Sequence, residues 1–352
     1  MRDLQSGYFF PAQFSGNMLG SLLSTRLLPR WGFARLCAVG MTFLFLGLAV
    51  LALGSRQVGM AGIFLNGLGM GLAIAASNLW AAESNPGRRA SALSLLNFSW
   101  GIGAVACPFL IATGLHFLPL TRLLPALATF PLFFAIRFAS LPASGIADDS
   151  DNAIPEQTES PWQSAAFPLI SALAFLYVGT ETALGGWIAS YARSFGSVST
   201  SGAALAPSAF WAGLLLGRGL APKILRHHRE YTIFTLGLAA ALLGTISILT
   251  THHIPVLLLG TTLAGVGLAA LYPILLAVMS RELGTHSKRL GGFIFAAGGM
   301  GAALIPFLVG AISSHENNRR AGLTLVLISV SALLAIILTL GKRLAFNARE
   351  TG

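Results

Sequence analysis

Residues 166–191 read AFPLISALAFLYVGTETALGGWIASY, and this stretch decides which fold the chain can adopt. It is apolar, and it is long enough to cross a bilayer as one helix, which takes about 20 apolar residues. Its interior nevertheless holds an acidic residue, Glu181. An ionisable side chain is costly at that depth, and such residues usually serve a function. Glu181 is therefore the first candidate functional residue.

Glu181 belongs to a polar stripe along one side of this predicted helix. At about 100° per residue, the other members fall within about a third of the helix surface. They are Tyr177, Thr180, Trp187 and Tyr191. Three glycines of the same stretch let neighbouring helices approach closely: Gly179, Gly185 and Gly186. We expect the stripe to face a wet cavity that binds a polyhydroxylated solute, because it suits lipid poorly.

The composition of the whole chain indicates an all-α polytopic membrane protein embedded in the lipid bilayer. Of its 352 residues, 55% are hydrophobic and only 10% are charged, and the mean hydropathy is +0.74. Charged residues in soluble domains are nearer ~25%. The net charge of +10 does not indicate a nucleic-acid partner, because the basic residues flank apolar spans instead of forming one patch.

Windows of about 20 apolar residues predict eleven transmembrane helices. They lie near residues 8–28, 33–53, 57–80, 91–115, 120–140, 164–190, 201–221, 231–250, 254–279, 290–312 and 321–341. The polar, acidic segment SGIADDSDNAIPEQTESP follows the fifth span. We therefore expect two helical bundles in a five-plus-six arrangement, with an N-terminal bundle at 1–140, a cytoplasmic linker at 141–163 and a C-terminal bundle at 164–352.

A repeated pattern relates the two halves of the chain. At nearly one offset, GIGAVACPFL (101–110) aligns with GMGAALIPFL (299–308), NGLGMGLA (66–73) with AGVGLAAL (264–271), and FSGNMLGSLLSTRLLP (14–29) with WAGLLLGRGLAPKILR (211–226). Parallel repeats of this kind build two related bundles with a substrate site between them. The Glu181 helix has no counterpart in the first half. We therefore expect a twelve-helix, six-plus-six plan from which the first helix is missing.

The distribution of basic residues predicts the orientation in the membrane. Most of the 22 lysines and arginines flank the spans on one side, and such a bias marks the cytoplasmic side. This orientation places the acidic linker and the C-terminus in the cytoplasm. We expect a multi-pass protein of the plasma (inner) membrane that acts as a monomer.

Two segments carry a resemblance to a known family: YVGTETALGGWIASYA (177–192) and NLWAAESNPGRRASALSLLNFSWGIGA (78–104). Together with the repeat and the basic turn GSLLSTRLLPRWGFAR (20–35), they make the chain similar to the major facilitator superfamily. Within it, the chain resembles the fucose–proton symporter group and the related sodium-dependent glucose carriers. The resemblance implies secondary transport of a small solute, often a sugar, by alternating access.

The resemblance also implies site residues. Glu181, Trp187 and Tyr191 match the family's helix-seven pattern, and Asn97 matches its helix-five pattern. We add two residues near Asn97 as candidates for substrate binding or coupling: Trp100, one turn away, and Asn78, on the preceding span.

Ion coupling departs from the family pattern. The fucose symporters use one carboxylate in helix one and one in helix four for proton coupling. The first helix is not in this sequence, and Ile74 aligns with the second position. Glu181 is then the candidate coupling residue, with H+ or Na+ as the coupling ion and no cofactor.

Each candidate residue also has a structural interpretation. Glu181 and Asn97 are able to hydrogen-bond neighbouring helices, while Trp187 and Tyr191 suit an interfacial aromatic belt. Arg218 lies close to Lys223, and we interpret it as a side chain that snorkels to the inner interface.

Other functions remain as alternatives. An intramembrane enzyme is disfavoured, because the spans hold one carboxylate and no central histidine to form a catalytic group. An efflux carrier of amphipathic compounds requires an apolar cavity. A truncated relic that no longer transports is the third alternative.

Overall fold

The computed structural model describes residues 3–84, 89–141, 166–195, 199–283, 287–341 and 344. Every secondary-structure element in these ranges is a helix, and the prediction of an all-α fold is confirmed. The elements are α1 (Asp3–Gly7), α2 (Phe9–Leu51), α3 (Arg56–Glu83), α4 (Arg89–Gly114), α5 (Leu120–Ala139), α6 (Ala166–Arg193), α7 (Thr200–Leu225), α8 (Glu230–Thr250), α9 (Ile254–Ala269), α10 (Leu271–Leu283), α11 (Ser287–His315) and α12 (Arg319–Leu340). The predicted linker lies outside the described residues from position 142 onward.

Ten helical stretches in the described residues are long and apolar enough to cross a membrane. The first, Asp3–Leu51, contains the two spans predicted near 8–28 and 33–53. Gly32 separates them, with a φ of 71° that breaks the helical path inside α2. Glycine suits this position, because an L side chain at positive φ is strained. The predicted spans and the merged helix therefore agree.

A second break divides the predicted span at 254–279 into α9 and α10. Helix α9 ends at Ala269 and α10 begins at Leu271. Pro273 explains the position of this break, because a proline ring clashes with the carbonyl four residues earlier and supplies no N–H. Tyr272 follows the break directly.

The chain divides into two compact units. The first contains the described residues within 1–10, 100–116 and 161–352, and the second contains those within 11–99 and 117–160. The predicted bundles at 1–140 and 164–352 stay a prediction.

The predicted repeat recurs as matched helix crossings within each unit. In the second unit, a Cβ atom added to Gly47 would lie 2.7 Å from the carbonyl oxygen of Gly62. In the first unit, a Cβ atom at Gly244 would lie 2.6 Å from the carbonyl oxygen of Gly260. Further crossings match in the same way: Gly40 with Gly69 corresponds to Gly237 with Gly267. The sequence repeat therefore marks places where backbones touch, which small residues permit.

Helix α6 lies at the core of the first unit and packs against α7, α10, α11 and α12. Its three glycines accept neighbours as predicted. Gly179 lies against the backbone of α11, Gly185 against the indole of Trp211 and Gly186 against the ring of Phe10.

The short helix α1 is held to α12 by an ion pair. The carboxylate of Asp3 accepts hydrogen bonds from Nε and Nη2 of Arg319 at 3.0 to 3.2 Å. Nη1 of the same arginine donates to the carbonyl oxygen of Ser190 at 3.2 Å. All three guanidinium nitrogens of Arg319 therefore have partners.

Candidate functional site

Glu181 lies near the middle of α6, and its side chain is 12% exposed. The hydroxyl of Tyr177 donates a hydrogen bond to Oε2 of Glu181. The two residues are four apart, so they lie on the same face one turn from each other. Tyr177 itself is buried, and the carboxylate is thereby held by its own helix.

Arg218 of α7 is the ionic partner of Glu181. Its Nη2 lies 3.3 Å from Oε2 of Glu181 and 3.5 Å from the hydroxyl oxygen of Tyr177. The interpretation of Arg218 as a snorkelling side chain is wrong, because the guanidinium is directed at a carboxylate in the middle of α6. In apolar surroundings two opposite charges stabilise each other. A single charge without a partner would lack this stabilisation.

Aromatic rings surround this ion pair. Tyr272 of α10 stacks on Tyr177 with ring centroids 5.7 Å apart, and the guanidinium of Arg218 lies 6.0 Å from the ring centre of Trp100. Trp100 in turn meets Trp211 edge-on at 5.5 Å. We call Glu181, Tyr177, Arg218, Tyr272 and Trp100 the Glu181 cluster. All five residues belong to the first unit.

Three other residues of the predicted stripe are buried in packing contacts. Trp187 donates from Nε1 to the carbonyl oxygen of Pro306 at 2.9 Å, and Tyr191 packs edge-on against Phe195. Thr180 is fully buried, and its hydroxyl oxygen has no hydrogen-bond partner among the described residues. Each of them is 3% exposed or less, so in this conformation they lie away from any open surface. Their contact with a solute stays a prediction.

The two predicted asparagines, Asn78 and Asn97, belong to the second unit. Asn78 donates from Nδ2 to the carbonyl oxygen of Ile74 at 2.8 Å within α3. Asn97 lies on α4 with an exposed side chain. Binding of a solute by either residue also stays a prediction.

Three residues in or next to the cluster are absent from the site predicted from the sequence: Arg218, Trp211 and Tyr272. Arg218 and Trp211 are seven residues apart on α7, and this spacing places them on one helical face. Arg218 itself was a usable signal, because an arginine inside an apolar span usually serves a function. Tyr272 was less accessible to prediction, because its position depends on the break before Pro273.

A cavity of about 90 Å³ lies beside the cluster within the first unit. Tyr272 forms part of its wall, together with apolar residues of α6, α10 and α11. These are Ala174, Val178, Leu275, Leu276, Met279, Ile294, Phe295, Gly298 and Gly299. Tyr272 thus borders an apolar cavity and also stacks on Tyr177.

The ten membrane-length helical stretches found in the described ranges indicate a multi-pass membrane protein, and its first unit contains a charged and aromatic cluster. The chain belongs to the Major Facilitator Superfamily, whose family model matches residues 3–306. The predicted superfamily is therefore confirmed, and the protein is a transporter and not an enzyme.

Known relatives extend this assignment. The glucose/mannose transporter GlcP of Bacillus subtilis (strain 168) is 24% identical over 330 residues, which cover 88% of this chain and 78% of that protein. The glucose/galactose transporter of Brucella abortus biovar 1 (strain 9-941) is 24% identical over 184 residues, or 51% of this chain and 43% of that protein.

Solved structures share the fold. The nucleoside transporter NupG gives a TM-score of 0.73 at 14% identity, over 96% of this chain and 89% of that one. The fucose:proton symporter FucP of E. coli gives 0.56 at 16% identity, over 95% of this chain and 88% of that one. At these identities the likeness shows the fold alone.

Proposed function

We propose that this protein is a secondary active transporter that moves a small polar solute, in the first place a sugar, by alternating access coupled to a cation. Membership of the superfamily and the similarity to a glucose/mannose transporter support this proposal. The Glu181 cluster is the observation that carries it. Charged groups inside apolar helices are costly and usually mark a solute or ion site.

The cluster provides the groups that a sugar needs. Trp100 is 45% exposed, and the exposed part of an indole ring provides a flat apolar surface against which a pyranose ring packs. Glu181, Tyr177 and Arg218 offer acceptors and donors for hydroxyl groups. A solute held in this way exchanges hydrogen bonds with water for equivalent bonds with the protein.

Glu181 is the proposed coupling residue. In this structure its charge is compensated by Arg218 at 3.3 Å. An H+ or Na+ that neutralises the carboxylate weakens this ion pair and releases the guanidinium. Binding of the cation and binding of the solute at the same cluster then depend on each other, which is the thermodynamic requirement for coupled transport.

The proposed setting is the plasma (inner) membrane, with a monomer whose C-terminus is cytoplasmic. The support for this orientation is the excess of lysine and arginine on one side of the spans.

The cavity beside Tyr272 favours one further candidate function, the export of amphipathic compounds. Its lining is apolar apart from the tyrosine hydroxyl, and ligand sites for such compounds are mostly apolar with a few polar groups. An exporter would bind a small apolar group of its substrate in this cavity and the polar part at the Glu181 cluster.

A panel of solutes tests the proposal on the purified protein. Glucose, mannose, xylose, a nucleoside and an amphipathic dye are compared by thermal shift, and ligands that stabilise the protein are then tested for uptake into proteoliposomes. A specific solute at 100 times its Kd stabilises the folded state by about 2.7 kcal/mol. We expect a sugar to stabilise the protein and to enter the liposomes. Stabilisation by the dye alone would favour the exporter, and no response to any solute would favour a relic that does not transport.

A further inference from the structure

Arg218 uses its guanidinium differently from the other two arginines that pair with carboxylates in the described residues. Arg319 uses three nitrogens on Asp3 and Ser190, and Arg281 binds Glu230 through both terminal nitrogens. Arg218 contacts Glu181 through Nη2 alone, at 3.3 Å. Arginine–carboxylate pairs are often two-pronged, with N–O distances of about 2.7–2.9 Å. The Glu181 pair is long and one-pronged by this standard.

The remaining donors of Arg218 have no partner among the described residues. Nη2 also lies 3.5 Å from the hydroxyl of Tyr177, so that one nitrogen accounts for both polar contacts, while Nε and Nη1 make none. The side chain of Arg218 is 28% exposed, and the exposed ring of Trp100 borders it. Unused donors are costly even for a partly buried arginine, and the exposed part of this side chain provides access for a ligand.

We infer that Arg218 binds a carboxylate of the transported solute, so that the substrates are sugar acids in addition to, or in place of, neutral sugars. This inference rests on the proposed function, because it assigns the solute of the same cluster. The planar guanidinium offers two parallel N–H groups that match the two oxygens of a carboxylate. The face of Trp100 is positioned to pack against the sugar ring that carries the carboxylate.

A proton keeps the charges balanced in this arrangement. A solute carboxylate at Arg218 would lie beside the negative charge of Glu181, and two like charges at short range repel. Glu181 therefore takes up one proton from the side of the membrane from which the solute enters. Its protonated form keeps a hydrogen bond with Tyr177, and Arg218 is free for the solute. One anion and one proton then cross together, without net charge movement.

The groups facing Glu181 support this proton balance. Its own helix contributes Tyr177, α7 contributes Arg218 and α10 contributes Tyr272 through its stack on Tyr177. The neighbouring α9 has no ionisable residue, and those of α11 and α12 lie at the helix ends. Glu181 is therefore the only carboxylate of the cluster in the described residues.

Binding of glucuronate and glucose to the purified protein shows whether the site takes sugar acids, neutral sugars or both. Titration calorimetry is carried out on the wild type, Glu181→Gln and Arg218→Lys, with Glu316→Gln as a control for the loss of an exposed carboxylate away from the cluster. Wild-type affinity for glucuronate should rise about tenfold for each unit by which the pH falls, because one proton is taken up per solute. Glu181→Gln should bind glucuronate more tightly and without this pH dependence.

Arg218→Lys should weaken glucuronate binding about tenfold or more, because a lysine keeps the charge and loses the two-pronged geometry. Its melting temperature without ligand shows whether the variant is folded, and Glu316→Gln should behave as the wild type. Glucose binding without glucuronate binding would overturn the inference and leave the proposed function intact. Weaker glucuronate binding in Glu181→Gln would also overturn it. Failure of both sugars, and of mannose, xylose and the nucleoside, to bind and to enter proteoliposomes would reject the proposed function itself.

Discussion

Glu181 and Arg218 depend on each other for their place inside the membrane. Their side chains are 12% and 28% exposed, and either charge alone would be poorly solvated among apolar helices. A hydrogen bond from Tyr177 and the nearby ring of Trp100 contribute to the same cluster. The pair should therefore stabilise the fold in addition to its proposed role in coupling. Melting temperatures test the first role, and transport measurements test the second.

Removal of the charge of Arg218 alone should destabilise the protein more than removal of the charges of both Arg218 and Glu181. Arg218→Met leaves the carboxylate of Glu181 unpaired, and breaking a buried pair costs about 3–5 kcal/mol. We expect the lower end of this range, because both side chains keep some exposure. Arg218→Met with Glu181→Gln should recover part of the loss. Melting temperatures in one detergent measure this, and a double variant less stable than Arg218→Met would contradict the account.

At this scale, the sequence predicted the acid and missed its partner. Glu181 was found because an acidic residue is rare in an apolar span, and Tyr177 because a helical period places it one turn away. Arg218 was misinterpreted because periodicity gives the position of a residue on its own helix, and not which helix it meets. Trp187 of the predicted stripe donates a hydrogen bond to the backbone of α11, and its contact with a solute stays a prediction.

At the scale of helices, close backbone contacts and breaks determine the packing. Hydropathy located the spans well, because about 20 apolar residues are needed to cross the bilayer. The break of the helical path at Gly32 in α2 and the break before Pro273 depend on local backbone geometry. The repeat aligns Gly16 with Gly213, and these two glycines form matched crossings: a Cβ atom at Gly16 would lie 2.2 Å from the carbonyl oxygen of Phe64, and one at Gly213 would lie 2.3 Å from that of Thr262.

Substitution by alanine should therefore destabilise the protein at Gly244 and have little effect at Gly103. Gly244→Ala places a Cβ atom 2.6 Å from backbone atoms of α9, and overpacking of this kind costs about 1–3 kcal/mol. Gly103→Ala is the matched control, because a Cβ atom there meets nothing within 4 Å. We expect Gly244→Ala to lower the melting temperature and the yield of folded protein. Equal effects of the two substitutions would contradict the crossing as the reason for Gly244.

At the scale of the whole molecule, the fold establishes the class of protein and leaves the solute open. The superfamily match covers residues 3–306, and the sequence analysis identified this superfamily from the repeat and two segments. A fold shared by transporters of different solutes does not define the solute, because specificity depends on the side chains of the site. Those side chains come from α4, α6, α7 and α10. The periodicity of a single helix does not predict which residues of other helices it contacts.

Ion-driven accumulation in proteoliposomes tests the central claim, that Glu181 couples a cation to the solute. The labelled solute is the one that stabilises the wild type most, and Glu316→Gln is the control. We predict that Glu181→Gln retains exchange of labelled for unlabelled solute but no longer accumulates it against a gradient. Accumulation by Glu181→Gln at the wild-type level would contradict the claim.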